Sequence, residues 1–223
     1  MAEKTIQPTF GKLLFGSSIG RKQLMAVTGL SLCGFLVPHL TGNLLLLKGE
    51  EAFNAYAVFL HSIPGFIYVE FALAFMFILH IYLGISLTME NRKARSSRYA
   101  VNASKGASNL ANKTMPLTGI WILIFLVAHI IGLRLNPEVM TSPEGVNVFL
   151  IIDQMFSNPA VVGFYVFSSC VLGFHVGHGF QSAFQTLGLV SVGFTPVIKK
   201  ISVAFGFLMA IGYSVLPIYI YLT

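Results

Sequence analysis

Apolar residues run along this chain in five blocks, each close to the length of a membrane-crossing helix. The blocks cover about residues 23–47, 64–89, 116–135, 159–187 and 196–221, and about 20 apolar residues are enough to cross a hydrocarbon core. Proline stands at or near the start of four blocks, where its missing N–H costs a helix little. The pattern predicts an all-α integral membrane protein with five transmembrane helices in a single domain, residues 1–223.

Two shorter segments between the blocks are amphipathic. GEEAFNAYAVFLHS, residues 49–62, spaces Phe53, Tyr56 and Leu60 along one helix face, and NVFLIIDQMF, residues 147–156, is too short to span a membrane. Both segments predict helices that lie in the outer membrane–water interface.

Charged residues are few and are concentrated on one side of the predicted spans. Only 10% of the chain is charged, against about a quarter in a soluble domain. Twelve of the Lys and Arg residues lie before the first block, between the second and third, or at the start of the fifth, and only Lys48 and Arg134 lie on the other side. The positive-inside rule then predicts that the N-terminus faces the cytoplasm, or the matrix in an organelle, and that the C-terminus is outside. The expected location is the cytoplasmic membrane.

Two apolar blocks repeat a histidine in the same frame. TGLSLCGFLVPHLTG, residues 28–42, and TGIWILIFLVAHIIG, residues 118–132, share Thr-Gly, Phe-Leu-Val and a His that is followed three residues later by Gly. An ionisable residue at membrane depth is costly and marks a functional site by default. The alternative is a structural role, in which a neutral histidine forms a hydrogen bond to another helix. That role suits a single histidine better than one in every block, and each of the first four blocks contains at least one: His39, His80, His129, His175 and His178.

Four of these histidines sort into two depths. His39 and His129 fall in the outer halves of outward-running blocks, and His80 and His175 fall in the inner halves of inward-running blocks. The rise of a helix puts the two levels about 10 Å apart. Two imidazoles that face each other across a flat gap suit a bis-His haem. We therefore expect the first four helices to form a bundle around two stacked b-type haems, an outer one and an inner one.

Glycines beside the histidines fit the same interpretation. Each lies three or four residues after a histidine and so shares a helix face with it. We expect these glycines to pack against the haems. They are Gly42, Gly84, Gly132 and Gly179. His178 lies three residues after His175 and is an alternative ligand. The glycine spacing favours His175, which leaves His178 to bond a haem propionate or a nearby polar group.

Several segments together carry a resemblance to a known family: FLVPHLTGNLLLLKGEEAFN, LHIYLG, TGIWILIFLVAH, PAVVGFYVF, FHVGHGFQSAFQTLG and FTP. The chain resembles, over nearly its whole length, the di-haem, five-span cytochrome b membrane anchors of succinate:menaquinone oxidoreductases and the related fumarate reductases. The resemblance implies axial haem-iron ligands at His39, His80, His129 and His175.

The resemblance also implies partners. A flavoprotein subunit, where succinate would be oxidised, and an iron–sulfur subunit would dock on the positive inner face. This chain would pass electrons between the iron–sulfur subunit and quinone, with menaquinone as the expected quinone. Membrane lipid is the other expected contact, and no nucleic acid is expected.

The quinone site has two candidates. In relatives an acidic residue near the outer end of the second span has been tied to quinone, and the corresponding position here is His61, which can exchange a proton near neutral pH. The second candidate is Ser17 with Arg21 at the inner face. Some relatives carry a proton-transferring Glu two residues before the inner ligand of the fourth span. That position is Gly173 here, so the same proton route is not expected.

Three alternative functions make different demands on the sequence. A fumarate reductase anchor would run the electron transfer in the opposite direction. A nitrate-reductase-type cytochrome would place two histidines about four turns apart in one helix, which no block does. A transporter could use buried histidines as proton relays, and it would show no haem absorbance.

Overall fold

The computed structural model describes residues 15–93, 110–141 and 147–223, and the regular structure within those ranges is helical. A 3₁₀ turn, Leu44–Lys48, extends the first helix, a π-helical turn, Ile130–Arg134, extends the fourth, and a 3₁₀ turn, Val192–Phe194, precedes the last. The helices are α1 Ser18–Asn43, α2 Glu50–Ser62, α3 Phe66–Lys93, α4 Leu110–His129, α5 Pro137–Thr141, α6 Val148–Phe156, α7 Pro159–Thr186 and α8 Thr195–Leu222.

The five predicted spans are confirmed as helices. In the described part of the chain, α1, α3, α4, α7 and α8 are long and apolar enough to cross a membrane, so the chain is a multi-pass membrane protein. Three of these helices extend several residues past the apolar blocks at their polar ends. Pro116 consequently lies inside α4 instead of at its start, and Pro38 lies inside α1.

Polar side chains define where several helices begin. The Ser17 hydroxyl accepts a hydrogen bond from Gly20 N at 3.0 Å at the start of α1. The side chain of Asn158 accepts from Ala160 N at 2.9 Å, with Pro159 as the first residue of α7. Such caps satisfy N–H groups that the first helical turn leaves without partners.

The two short helices predicted from amphipathic segments, α2 and α6, are present and joined by hydrogen bonds. Asn54 donates to the side chain of Asn147 at 2.8 Å and accepts from Phe149 N at 3.1 Å. Asn147 also donates to Glu50 at 2.6 Å. The two helices therefore form one connected layer at the end of the bundle where α1 ends and α7 begins.

The first four spans surround a common axis. α1 packs against α3 and α7, α4 packs against α7, and α3 contacts α4 less extensively, whereas α1 with α4 and α3 with α7 make the fewest contacts. α1 and α4 therefore lie diagonally across the bundle, and so do α3 and α7. Each diagonal joins the helices of one predicted histidine pair.

The fifth span, α8, packs tightly on α7 through glycines. A Cβ atom added at Gly206 would lie 2.5 Å from Gly173 O and 2.8 Å from Gly177 Cα, so the backbones meet where neither helix has a side chain. The fully buried Ser202 donates to Gly177 O at 2.6 Å and accepts from Gln181 N at 3.0 Å. Ser202 thus bridges two backbone groups that an α-helix would bond directly. This contact holds α7, which carries His175, in a fixed register against α8.

Candidate functional site

The outer histidines meet across the bundle. The ring centroids of His39 and His129 are 5.9 Å apart, with the ring planes at 87°. Phe35 stacks on His39 at 5.0 Å and 20°, and Phe125 stacks on His129 at 5.5 Å and 27°. Each phenylalanine precedes its histidine by four residues, so helix geometry alone brings the rings of each pair together. The shared Phe-Leu-Val of the repeated segments thus orients the outer imidazoles.

Polar contacts to the ring nitrogens of the outer pair are long. Asn43 Nδ2 donates to His39 O at 2.7 Å and lies 3.4 Å from His39 Nδ1. The Tyr165 hydroxyl lies 3.4 Å from His129 Nδ1 and 3.7 Å from the Met155 sulfur. Stacking against phenylalanine, more than hydrogen bonding, therefore restrains the orientation of these two rings.

The inner histidines have short polar contacts instead. Thr28 Oγ1 lies 3.0 Å from His80 Nδ1, and Thr118 Oγ1 lies 2.9 Å from His175 Nδ1. Both threonines open a repeated segment, and each contacts a histidine on a neighbouring helix. The repeated segment therefore contacts two histidines, its own outer one and the inner one of its neighbour.

The glycines that follow these threonines make room for the inner rings. A Cβ at Gly29 would lie 3.2 Å from His80 Cε1, and a Cβ at Gly119 would lie 3.6 Å from His175 Cε1. The first distance is shorter than an ordinary carbon–carbon contact, so only glycine leaves the imidazole its full space.

The four glycines predicted to pack against haem each face a side chain in this structure. The facing side chains are flexible methionines in three cases and an aromatic ring in the fourth: Gly84 with Met25, Gly179 with Met115, Gly132 with Met155, and Gly42 with Tyr56. A Cβ at Gly42 would lie 2.5 Å from the Tyr56 ring, so the glycine at this position accommodates α2.

α1 and α4 carry matching residues at positions 90 apart, so each helix makes the same contacts in its own half of the bundle. Met25, Thr28 and Gly29 correspond to Met115, Thr118 and Gly119, and each set faces an inner histidine and the glycine four residues after it. Each threonine precedes an outer histidine by 11 residues, or roughly 16 Å along a helix. The sequence interpretation placed the two levels closer together, at about 10 Å, because it measured depth from the ends of apolar blocks.

The same equivalence separates His175 from His178. His175 takes the position in α7 that His80 takes in α3, with a threonine on its Nδ1. His178 is half-buried one turn further along α7.

At the positively charged end of the bundle, Arg21 joins α1 to α3. Its guanidinium donates to the Ser86 hydroxyl at 3.0 Å and forms an ion pair with Glu90 at 2.5 Å. Its Nε is buried and has no hydrogen-bond partner in the described part of the chain. Ser17, the other residue of this candidate quinone site, caps α1.

At the opposite end, His61 lines a cavity of about 320 Å³. Glu70 and Arg134 line the same cavity. Arg134 donates to both carboxylate oxygens of Glu70, at 2.9 Å each. The sequence drew attention to His61 but not to this ion pair, although Arg134 is one of only two basic residues on its side of the predicted spans.

Sequence reasoning also missed Thr28, Thr118, Phe35 and Phe125. All four were visible as shared letters of the repeat, but their partners depend on how neighbouring helices are aligned. Among the described residues no group of three or more His, Cys, Asp or Glu could hold a metal ion. The histidines instead stand in pairs.

Comparison with known proteins identifies one relative. Over 169 residues the chain is 28% identical to the succinate dehydrogenase cytochrome b558 subunit of Bacillus subtilis (strain 168), and the match covers 75% of this chain and 77% of the relative. No family model matches the chain, and no solved structure matches it. The similarity confirms the resemblance drawn from the motifs and supports a membrane-anchor role: the chain is similar to the cytochrome b membrane anchors of succinate dehydrogenases.

Proposed function

We propose that the chain is the membrane anchor and electron-transfer subunit of a succinate:quinone oxidoreductase, with two bis-His b haems. The observation that carries the proposal is the pairing of four histidines at two levels of one helix bundle. His39 and His129 would hold the outer haem, and His80 and His175 the inner haem. The similarity to a succinate dehydrogenase cytochrome b subunit supports the same role.

The outer rings lie close together across the bundle. His39 and His129, whose ring centroids are 5.9 Å apart, would hold the iron of the outer haem between them. When bound, such a haem supplies one-electron transfer at a potential that its axial ligands and surroundings set.

The inner end of the bundle also offers a partner for an anionic group. Arg21 lies seven residues, two helical turns, before Thr28 on α1, and its buried Nε lacks a partner among the described residues. A buried guanidinium N–H calls for an acceptor, and a carboxylate of the inner haem would supply one. His178, which is only half-buried, remains a second candidate for a propionate contact.

The orientation follows from the charges. Arg21, Lys22, Arg92, Lys93, Lys199 and Lys200 lie at one end of the spanning helices, and the ion pair between α1 and α3 joins two helix ends on that side. Lys4, Lys12, Arg95, Arg98 and Lys105 lie outside the described residues. By the positive-inside rule this end faces the cytoplasm, and the iron–sulfur and flavoprotein subunits would dock there.

The quinone would bind at the outer end, in the cavity beside His61. A quinone headgroup needs a partner that can give and take a proton, and the imidazole of His61 lines this cavity. The Glu70 carboxylate already accepts two hydrogen bonds from Arg134, which leaves His61 as the exchanging group. Menaquinone is the quinone proposed. Ser17 and Arg21 are the alternative site, but both already have structural partners.

Haem content and redox titration test the proposal. We expect the purified complex to contain two b haems per anchor chain by pyridine haemochrome, with two resolvable midpoint potentials in a reduced-minus-oxidised titration. The potentials differ because the outer pair lies near Arg134 and the aqueous face, while the inner pair lies toward the iron–sulfur subunit. One haem per chain would refute the four-ligand assignment, and no haem would favour a histidine-based transporter. Measuring succinate–quinone and quinol–fumarate activities in the same membranes gives the preferred direction.

A further inference from the structure

We propose that Thr28 and Thr118 are positioning residues that fix the ring tautomer and orientation of the inner ligands, His80 and His175. The proposal rests on the inner bis-His haem of the proposed function. It assigns a separate role to the Thr-Gly pair that opens each repeated segment: holding the ligand of the neighbouring helix.

The hydrogen-bonding surroundings of the threonines determine where the protons lie. Thr28 Oγ1 lies 2.9 Å from Leu24 O and 3.1 Å from Met25 O. Both carbonyl oxygens are acceptors only. If the hydroxyl proton pointed to His80 Nδ1, two oxygen lone pairs would face each other at about 3 Å without a proton between them. The hydroxyl therefore donates to a carbonyl, and its oxygen accepts from Nδ1–H of His80.

The second half of the bundle repeats this arrangement. Thr118 Oγ1 lies 3.0 Å from Met115 O, 3.3 Å from Thr114 O and 2.9 Å from His175 Nδ1. The same reasoning makes His175 Nδ1 a donor. A neutral imidazole carries one proton, and in both rings that proton lies on Nδ1. Nε2 therefore keeps a free lone pair and is the atom available to bind iron.

The glycine after each threonine fixes the ring orientation. The inner rings rest against the α-carbons of Gly29 and Gly119, where a methyl group would stand 3.2 Å and 3.6 Å from their Cε1 atoms. The outer pair has no such arrangement among the described contacts, because its closest neighbours are the stacked rings of Phe35 and Phe125. The two haem sites are thus supported by different chemistry.

The hydrogen bond has a consequence for redox behaviour. Donation from Nδ1–H increases the basicity of the ligating nitrogen, and such outer partners typically change metal affinity by 10–100-fold. A more basic ligand stabilises ferric over ferrous iron. Removing the threonine hydroxyls should therefore make the inner haem easier to reduce and weaken its binding.

The test is a set of variants of the purified complex: Thr28→Val, Thr118→Val and the double variant. Valine keeps the shape of threonine and removes the hydroxyl. We expect the equilibrium constant for reducing the inner haem to rise about tenfold in the double variant, an upward shift of about 59 mV for one electron. The inner haem is identified as the component that His80→Ala removes. The EPR signal of the oxidised inner haem should change too, while the outer haem keeps its potential and signal.

Two further variants keep the proposal falsifiable. Thr28→Ser retains the hydroxyl and should retain the native potential, whereas an equal shift in the serine and valine variants would show that packing, not the hydrogen bond, matters. Thr88→Val is the matched control, because Thr88 bonds back to Gly84 O at 2.7 Å on the same helix as His80.

The remaining outcomes separate this proposal from the proposed function. Loss of the inner haem in the valine variants, with retention in Thr28→Ser and Thr88→Val, supports the positioning role. Unchanged inner-haem potential and EPR signal in the double variant would overturn it. Absence of a second haem in the unmodified complex would instead refute the proposed function.

Discussion

Two kinds of neighbour hold the four histidines, and each kind constrains a different property. Stacking of Phe35 and Phe125 restrains how the outer rings tilt but leaves either ring nitrogen free to carry the proton. The threonine contacts of His80 and His175 restrain the tautomer as well. A change at a single residue should therefore affect one site and leave the other largely intact.

Replacing one ligand should remove its own haem first. We expect His39→Ala or His129→Ala to eliminate the outer haem signal, and His80→Ala or His175→Ala to eliminate the inner one, because a bis-His site loses half of its axial bonding. Optical difference spectra of membranes, normalised to subunit content, measure this. His178→Ala on α7 is the comparison variant: it removes at most a propionate contact and no proposed iron ligand, so it should keep both haems. Loss of the inner haem in that variant, with retention in His175→Ala, would reverse the assignment.

His61 should matter for quinone and not for haem. We expect His61→Leu to keep both haems and to keep succinate oxidation with an artificial acceptor that bypasses the membrane. Electron transfer between succinate and quinone should fall at least about tenfold, or about 1.4 kcal/mol in the barrier. Ser62→Ala, at a neighbouring position of the same cavity, controls for local disturbance. Unchanged quinone activity in His61→Leu would contradict the outer site and favour Ser17 and Arg21 as the quinone site.

At the scale of the helix, some features could be read from the sequence and others could not. Apolar length located all five spans, and the count from each end placed His39 and His129 apart from His80 and His175. The position of one helix along its neighbour could not be predicted in this way. The contact of Thr28 with His80 joins positions 52 residues apart, and it depends on how far α3 slides along α1. Periodicity within one helix contains no information on that sliding.

The close packing of α7 on α8 was also beyond the sequence pattern, since glycine is common in membrane helices. The structure shows that Gly173 faces this contact: a Cβ there would stand 2.5 Å from Gly206 O and 2.6 Å from the Ala210 Cβ. A glutamate side chain at this position would have to displace α8. Gly173 therefore does more than replace the proton-transferring glutamate of some relatives, because it permits the close contact between α7 and α8.

Gly206→Ala tests this contact. The added methyl group would enter the space of Gly173 O and Gly177 Cα, and overpacking of this kind typically costs about 1–3 kcal/mol. We expect a lower thermal midpoint for the detergent-solubilised complex, together with reduced inner-haem content because α7 carries His175. Gly163→Ala, on α7 where the added methyl would meet no neighbouring helix within 4 Å, should leave both properties unchanged. Equal stability of the two variants would show that the α7–α8 contact contributes little.

In the whole molecule, the halves formed by α1 with α3 and by α4 with α7 each provide one outer and one inner histidine. Every proposed haem therefore draws one ligand from each half, and neither half can complete a site alone. The inner level lies nearer the end with Arg21 and Glu90, and the outer level lies nearer the cavity with His61 and Arg134. Electrons entering at the charged end would pass the inner level before they reach the outer cavity.

This direction of travel requires that the two ends of the bundle face opposite sides of the membrane, with the charged end in the cytoplasm. Cysteine labelling in intact cells tests it. Ser62→Cys places a thiol at the end of α2, in the wall of the His61 cavity. Val192→Cys places one between α7 and α8, where the native side chain is 92% exposed. A membrane-impermeant maleimide should label Ser62→Cys in intact cells and Val192→Cys only after the cells are opened. The unmodified chain, whose Cys33 and Cys170 lie within the spans α1 and α7, is the control and should remain unlabelled. The opposite pattern would place the charged end outside, and the iron–sulfur subunit could not then dock on it from the cytoplasm.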